Sequence, residues 1–287
     1  MKNVAITCVL FLLIANASAA AARVLHDELG REVRVPDHPH RLVCLAPSIT
    51  ETVYELGFGA KIVGITDYTR YPPEAAAKPS VGGVINPSLE KLASLKPDLV
   101  LAIGDLNSSE LVHSIEELGI PVFVIDPHGV EGIYRSILSV GNAINQTERA
   151  ARLVAELRAR AEAVRKRVAG MKRPSVFFLL WADPIITAGH GAFITQLIEM
   201  AGGNSITKKM PGEWPRLNLE TLVSMQPEYV LVVRDSGVSV KLLKEQPGWQ
   251  NLQAIAKGRV LLLDDRINFP SPVALDALQD LAKQLHP

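Results

Sequence analysis

Cysteine is almost absent from this chain of 287 residues, which contains two. Cys8 lies inside the first apolar run and not at its end, where a lipidated bacterial cysteine would lie, so the sequence argues against a lipoprotein. Cys44 lies in the apolar run 42–46, which predicts a buried core thiol and not a nucleophile. Because a single cysteine would remain after removal of a leader, internal disulfides are excluded as a source of stability.

Net charge is also lacking, since 30 lysines and arginines balance 30 aspartates and glutamates. The predicted leader holds one lysine and no acid, so 29 basic residues would remain against 30 acidic ones, a net charge of about −1. Proteins that bind nucleic acid or anionic membrane surfaces usually carry a basic excess. The composition therefore predicts neither kind of partner.

The first apolar run is too short to anchor the chain in a membrane. It covers residues 4–14, about half of the ~20 residues that a spanning helix needs. Lys2 precedes it and small residues up to Ala22 follow it, which is typical of a secretory signal peptide. We predict a leader over residues 1–22, cleaved after Ala19 or Ala22, and a mature protein in the periplasm without direct membrane insertion.

The common catalytic and metal-binding patterns are missing. The seven histidines show no ligand spacing, and only His38 and His40 lie close together. No Gly-Lys-Ser or Gly-Lys-Thr phosphate loop and no Gly-x-Ser-x-Gly elbow occurs, and the Gly57-Phe58-Gly59 segment precedes a predicted strand instead of following one. We therefore predict that the protein is not an enzyme, holds no resident metal and has no cofactor of its own.

What the chain does contain is an internal repeat. Residues 88–101 and 218–231 are identical at seven of fourteen positions, at an offset of 130 residues. Each copy predicts a short helix, a turn marked by proline, and a strand that is apolar without alternation. Such strands are typical of parallel sheets, which are covered on both faces. The repeat therefore predicts two α/β lobes of similar construction.

The rest of the chain supports two lobes. Short apolar runs alternate with helical patterns in both halves, which implies parallel sheets. Residues 147–169 lack glycine and proline and predict one long helix, with Thr147 as its N-cap and Gly170 as its stop. We predict an N-terminal α/β lobe over 23–145, a connecting helix over 146–170 and a C-terminal α/β lobe over 171–287. The two parallel-rich sheets would flank a ligand cleft, and one stiff connector predicts a small hinge motion.

Ligands in such folds bind beyond the carboxyl ends of the strands. Ser48 and Glu51 follow the first strand and fit a helix-capping box, which would place free backbone N–H groups at the cleft. Tyr68 follows the second strand, where its ring can cover a planar ligand. Capping alone would also explain Ser48, and packing between the lobes would also explain Tyr68.

Two tryptophans and one loop complete the candidate site. Trp181 follows a strand and Trp214 lies in a Gly-Glu-Trp-Pro loop; each exposes a large apolar surface unless a ligand or the core covers it. The last strand is followed by a segment that mixes donors, acceptors and an aromatic ring, which suits a chelate with a polar rim. This segment consists of Asp265, Arg266, Ile267, Asn268 and Phe269. A proline-rich loop leading into the last helix is the alternative interpretation.

Glu90 and Glu220 occupy the same place in the two copies of the repeat. A carboxylate near a helix start is stabilised by the helix dipole, which is one explanation. Two matched acids on two lobes also suit arginines on a transporter with two-fold symmetry.

Several motifs spread along the chain occur together in one known family. They are residues 41–46, Pro47-Ser48-x-Thr50-Glu51, Gly64-x-x-Asp67-Tyr68-x-x-Tyr71-Pro72-Pro73, Leu89-Glu90, Lys96-Pro97-Asp98-Leu99-Val100, Gly202-Gly203-Asn204 and Trp214-Pro215. Together they resemble the iron-chelate/cobalamin periplasmic-binding family, the substrate-binding proteins of a class of ABC importers. The resemblance covers essentially the whole chain after the leader.

This resemblance implies a monomer with two α/β lobes joined by a long helix. It implies that a small-molecule metal chelate, cobalamin or a related corrinoid first, is clamped by Tyr68, Trp214 and the loop from Asp265 to Phe269. It also implies docking to the importer's permease through Glu90 and Glu220. A ferric siderophore is the second ligand class and haem the third, because the tyrosine that holds haem iron in relatives would fall near Gly83. A periplasmic enzyme and a pure interaction module are the competing function classes.

Overall fold

The fold was analysed in a computed structural model that describes residues 21–234 and 238–287. The backbone of residues 265 and 268 is described, but their side chains are not. Most of the predicted leader, residues 1–20, lies outside the described part. No helix of the described residues is both long enough and apolar enough to span a membrane.

The first half of the chain forms an α/β lobe around a parallel sheet. Its strands are β1 (Ala22–His26), β2 (Glu32–Pro36), β3 (Leu42–Cys44), β4 (Ile62–Gly64), β5 (Leu99–Ile103) and β6 (Val122–Ile125). Its helices are α1 (Pro47–Glu55), α2 (Pro73–Ala76), α3 (Leu89–Ser94), α4 (Ser109–Glu117) and α5 (Gly129–Ala143). The central sheet has the order β4-β3-β5-β6, with every pair parallel, and β1 and β2 form a separate antiparallel hairpin.

A single helix, α6 (Thr147–Val168), leads from the first lobe to the second. Its buried residues recur at alternating intervals of four and three, so one apolar stripe runs along its length. Gln146, not Thr147, is the N-cap residue, which corrects the predicted start by one position. Gly170 has a φ of +79° just beyond the end, the left-handed conformation expected of a helix-terminating glycine.

The second half forms another α/β lobe. Its strands are β7 (Ser175–Leu179), β8 (Trp181–Ala182), β9 (Ile185–Ile186), β10 (Asn204–Ser205), β11 (Arg216–Leu217), β12 (Tyr229–Val233) and β13 (Val260–Leu263). Its helices are α7 (Phe193–Met200), α8 (Leu219–Met225), α9 (Val240–Glu245), α10 (Gln253–Ala256) and α11 (Pro272–Leu285). A parallel sheet has the order β10-β7-β12-β13, and a small antiparallel sheet has the order β11-β9-β8.

The internal repeat becomes the same structural unit in both lobes. Helix α3 leads into β5 and helix α8 leads into β12, and both strands lie inside their sheets. Lys96 and Gln226 occupy corresponding positions in the two turns, and both have a left-handed φ, +47° and +42°. The prediction of two α/β lobes with parallel sheets is confirmed.

One apolar core runs through both lobes. Strand β5 sends Leu101 into this shared core and the neighbouring Val100 into a separate cluster on the other face of its sheet. Leu157 on α6 and Phe178 on β7 belong to the shared core as well. Helix α11 of the second lobe packs against both α1 and α6. The connecting helix is therefore an internal element of the core.

Candidate functional site

Helix α1 starts directly after β3, at the carboxyl end of the first sheet. Its N-cap is Ala46, whose carbonyl oxygen accepts the first helical hydrogen bond from the Thr50 amide at 3.2 Å. Ser48 and Glu51 lie inside the helix, so the predicted capping box is wrong. Pro47 fits the first helical position, where its missing N–H costs no hydrogen bond, and no side chain caps this helix.

Ser48 nevertheless remains a candidate contact. Its side chain is buried, and its Oγ has no hydrogen-bond partner among the described residues. A buried hydroxyl without a partner is unfavourable unless a bound group supplies one. The first-turn amides of α1 point the same way along the helix axis and also have no intrahelical acceptor.

The loop after β4 carries an exposed aromatic ring. The side chain of Tyr68 is 58% exposed, while Thr66 and Thr69 on either side are buried and hold the loop. In the same loop, Tyr71 contacts the second lobe: the guanidinium carbon of Arg266 lies 5.9 Å from the centre of its ring. The segment that presents Tyr68 is therefore in contact with the opposite lobe.

The loop that carries Trp214 is held by the backbone on both sides. The Thr187 amide donates to the Pro215 carbonyl at 3.1 Å, and the Gly189 amide donates to the Glu213 carbonyl at 2.8 Å. A Cβ at position 189 would lie 2.4 Å from the Gly212 carbonyl oxygen, so this close approach requires glycine. The Trp214 side chain is 40% exposed on this fixed support.

Trp181 lies in β8 of the small antiparallel sheet, whose strand β11 directly follows the Trp214 loop. Residue Trp181 in β8 pairs with Ile186 in β9, which pairs in turn with Arg216 in β11, two positions beyond Trp214. The Trp181 indole N–H donates to the Asp183 carbonyl at 2.8 Å, which fixes the ring while leaving half of its surface exposed. Two of the predicted tryptophans thus belong to one structural unit.

The loop after β13 forms a short 3₁₀ turn, Asp265–Asn268, and matches the prediction only in part. Ile267 is fully buried in the shared core and presents no surface to a ligand, which corrects its predicted role. The Arg266 guanidinium pairs with Asp264 at 2.7 Å, and this hydrogen bond raises the pKa of Arg266 further above its usual range. Phe269 is half-buried, and the side chains of Asp265 and Asn268 lie outside the described part.

The two repeated glutamates are exposed at matching helix starts. Ser88 caps α3 by accepting from the Lys91 amide at 3.3 Å, and Asn218 caps α8 by accepting from the Thr221 amide at 2.8 Å. Glu90 lies two residues after Ser88, Glu220 lies two residues after Asn218, and both glutamates are exposed. Neither carboxylate forms an ion pair with another residue in the described part of the chain.

A charged cluster that sequence reasoning missed joins the two lobes. His128 follows β6 of the first lobe; its Nδ1 lies 3.1 Å from Oε1 of Glu213 in the second lobe, and its Nε2 lies 3.1 Å from Oδ2 of Asp126. Asp105 Oδ2 is 3.8 Å from the same Nδ1. Spacing between histidines does not reveal this cluster, whereas the position of His128 just after a strand points to it.

This cluster is best described as a network of hydrogen bonds and close carboxylate contacts around one imidazole. Ligand atoms of Asp105, Asp126 and His128 lie within 4.8 Å of one another, a spacing that a cation could also bridge. Both imidazole nitrogens already face carboxylates, however, and the group lies at the surface. We therefore assign no metal to it.

The described cavities beside the connecting helix do not coincide with the candidate residues. One of about 840 Å³ lies between α5, α6 and α7 and is lined by Tyr134, Arg158 and Gln196, among others. Another of about 400 Å³ lies between α6 and α11. Arginines at both are paired with acids, such as Arg158 with Glu131 and Arg160 with Asp276. We place the candidate site at the loops that bridge the lobes.

Comparison with known proteins finds one matching family and relatives similar in sequence and in structure. The family described as periplasmic binding protein matches residues 42–267. An uncharacterized ABC transporter substrate-binding lipoprotein of Bacillus subtilis is 28% identical over 271 residues, 92% of this chain and 85% of that protein. The vitamin B12-binding protein of Vibrio campbellii is 27% identical over 245 residues, 85% of this chain and 88% of that protein.

Among solved structures, the apo form of a periplasmic haem-binding protein from Roseiflexus sp. RS-1 superposes with a TM-score of 0.78. It is 28% identical and covers 86% of this chain and 98% of its own.

Proposed function

Because this chain belongs to the periplasmic binding protein family, the substrate-binding proteins of ABC importers for iron chelates and vitamin B12, we propose that its ligand is cobalamin or a related corrinoid. Members of the family bind substrates for transport and are not enzymes. In this proposal the protein is exported to the periplasm, captures the corrinoid as a monomer, and delivers it to the permease.

The observation that carries the proposal is the placement of exposed aromatic rings on loops that bridge the lobes. Tyr68 shares its loop with Tyr71, which contacts Arg266, and Trp214 adjoins Glu213, which contacts His128. A macrocycle offers broad faces that such rings can cover, with favourable burial of apolar surface. The similarity to a vitamin B12-binding protein supports the same ligand class.

Polar groups around the rings suit the rim of a corrinoid. Ser48 supplies a buried hydroxyl without a partner, and the loop from Asp265 to Phe269 adds backbone donors and acceptors. Ligand sites generally combine a mainly apolar lining with a few polar groups that fix orientation. Trp181 belongs to the small sheet beside Trp214 and extends this lining in the proposal.

The decisive experiment compares ligands directly. The purified protein is incubated with cyanocobalamin, a ferric siderophore or haemin, desalted, and examined by absorption spectroscopy. We expect retained colour with cyanocobalamin and a calorimetric Kd below about 1 µM, which corresponds to about −8 kcal/mol or better. Siderophore binding without any corrinoid heat or colour would replace the proposal with the second ligand class. Retention of haemin alone would favour haem, the ligand class of the Roseiflexus protein.

A further inference from the structure

We propose that His128 is a latch between the lobes: charged, and held by Asp105 and Asp126 on the first lobe, it binds Glu213 on the second and so positions the neighbouring Trp214. His128 is a positioning residue in this scheme, because it acts on the ligand site through Glu213. Its link to ligand capture rests on the proposed function, whereas the latch itself can be tested without ligand.

The geometry places this contact where the lobes meet. His128 lies between β6 and α5, and Glu213 lies in the loop whose backbone is fixed to Gly189. Two residues further on, the Val130 amide donates to the Gln196 side chain of α7 at 2.8 Å, a second hydrogen bond between the lobes. A Cβ at position 129 would lie 2.6 Å from that side chain, so the lobes approach closely here.

The charges around the imidazole are mostly acidic. Asp105, Asp126 and Glu213 face it from three different segments, at 3.8, 3.1 and 3.1 Å. Two further charged groups contact the backbone of Asp126: Arg135 of α5 donates to the Asp126 carbonyl at 3.2 Å, and Glu28 accepts from the Asp126 amide at 2.6 Å. Without a charge on His128, the carboxylates on the two lobes would repel one another.

Protonation of His128 therefore favours closure. Partial burial lowers the pKa of His128, but the hydrogen bond with Glu213 and the charges of Asp126 and Asp105 outweigh this and raise the pKa above its ordinary value of 6.5. A group whose pKa is raised in the closed form stabilises that form fully below the ordinary pKa. The stabilisation disappears as pH rises through the raised pKa, so the lobes should open toward alkaline pH.

The test measures the distance between the lobes without any ligand. Spin labels are placed at corresponding exposed points of the repeat with Lys91→Cys and Thr221→Cys, and distances are measured by electron-electron resonance from pH 5.5 to 8.5 with EDTA present. Cys44 is buried and should not take up label. We expect a narrow, short distance at low pH and about a threefold larger open population at high pH, the effect of losing one half-exposed ion pair.

Two variants and one control separate the latch from general effects. His128→Gln should show at every pH the larger open population that the original protein reaches only at high pH. Glu213→Gln should lose the pH dependence and lower the midpoint of the His128 titration measured by NMR. His113→Gln is the control, since His113 pairs with Glu117 at 3.4 Å within one helix, and it should behave like the original protein. If His128→Gln keeps the original pH profile, or if the original protein shows none, the latch is refuted.

A second experiment, with ligand present, separates the latch from the proposed ligand. With cyanocobalamin as the probe, dissociation should accelerate in the same pH range in which the labels report opening. If the lobes open with rising pH but cyanocobalamin does not bind, the latch is supported and the proposed ligand is wrong. If cyanocobalamin binds but its dissociation rate changes neither with pH nor in His128→Gln, the link between the latch and ligand capture is refuted.

Discussion

Glu90 and Glu220 lie at the same position of two short helices, one in each lobe, with exposed carboxylates. We propose that they bind arginines of the permease. Glu90→Ala and Glu220→Ala should each weaken docking, by ~2 kcal/mol or roughly thirtyfold if the pair is desolvated in the complex. The double variant should dock more weakly still, and lysine substitutions should be worse than alanine because they add repulsion.

The measurement is binding of the loaded protein to reconstituted permease, with ligand titrations of the same variants. Glu110 provides a matched control: it is exposed in the first turn of α4, behind the capping Ser108. Glu110→Ala should change neither docking nor ligand affinity. If the double glutamate variant docks normally, both residues only stabilise their helices and do not bind the permease.

Trp214 should contribute binding energy and little stability. Trp214→Ala removes a large apolar face that is partly exposed on a fixed loop, so we expect a loss of ~2 kcal/mol, roughly thirtyfold in Kd, by calorimetry. Trp249 is the contrast, because it is only 3% exposed and belongs to a second apolar cluster of the second lobe, together with Phe177 and Leu252. Trp249→Ala should lower the free energy of unfolding by about 3–5 kcal/mol. Unchanged affinity with a large fall in Tm for Trp214→Ala would assign that residue to the core instead.

Cys44 should be unreactive while the protein is folded. Burial raises the pKa of its thiol to about 12, against a partly opposing hydrogen bond from Thr50. Labelling with a thiol reagent at pH 8 should therefore follow the unfolding equilibrium and become rapid only in denaturant.

The same group links stability to alkaline pH. Stability from the protonated thiol is complete below the ordinary pKa of 9.0 and is lost as pH rises toward about 12. The loss can reach about 1.4 kcal/mol per pH unit. The free energy of unfolding, measured by urea titration at each pH, should fall more steeply above pH 9 for the original protein than for Cys44→Ala. An equal pH dependence of the two proteins above pH 9 would contradict this.

The structure favours one of the two predicted cleavage points. Ala22 pairs with Pro36 in the first hairpin, and the Ala21 carbonyl accepts from the Asp37 amide at 2.8 Å. We predict cleavage after Ala19, so mass spectrometry of the exported protein should find Ala20 as its first residue. A form beginning at Arg23 should be less stable by about 1 kcal/mol, the net value of one hydrogen bond. Recovery of Arg23 as the natural first residue would show that these hairpin contacts are dispensable.

The fold could be predicted because its signals are local. Unbroken apolar runs marked the strands, and the repeat of residues 88–101 at 218–231 located equivalent central strands in two lobes. The start of α1 differs from the prediction because Ser48 and Glu51 have capping-box spacing, whereas the helix already begins at Pro47. Spacing cannot distinguish these possibilities without the backbone angles.

Contacts between the lobes could not be predicted in the same way. His128 and Glu213 are 85 residues apart, and only the relative position of two folded lobes brings them together. The burial of Ile267 also depends on the tertiary structure, because a short turn rotates it into the core while Arg266 faces Tyr71. Sequence position identified the right loops, and packing decided which side chains point out of them.

The connecting helix should also couple the unfolding of the two lobes. Leu157 and Val164 on α6 share one apolar cluster with Leu101 of the first sheet and Phe178 of the second. Loss of either lobe would expose the core of the other, so a single cooperative melting transition is expected even though the chain has two sheets. A molecule with only one folded lobe is then too rare to accumulate. The importer accordingly encounters complete binding proteins, and the pool is not diluted by half-folded ones that could occupy it without cargo.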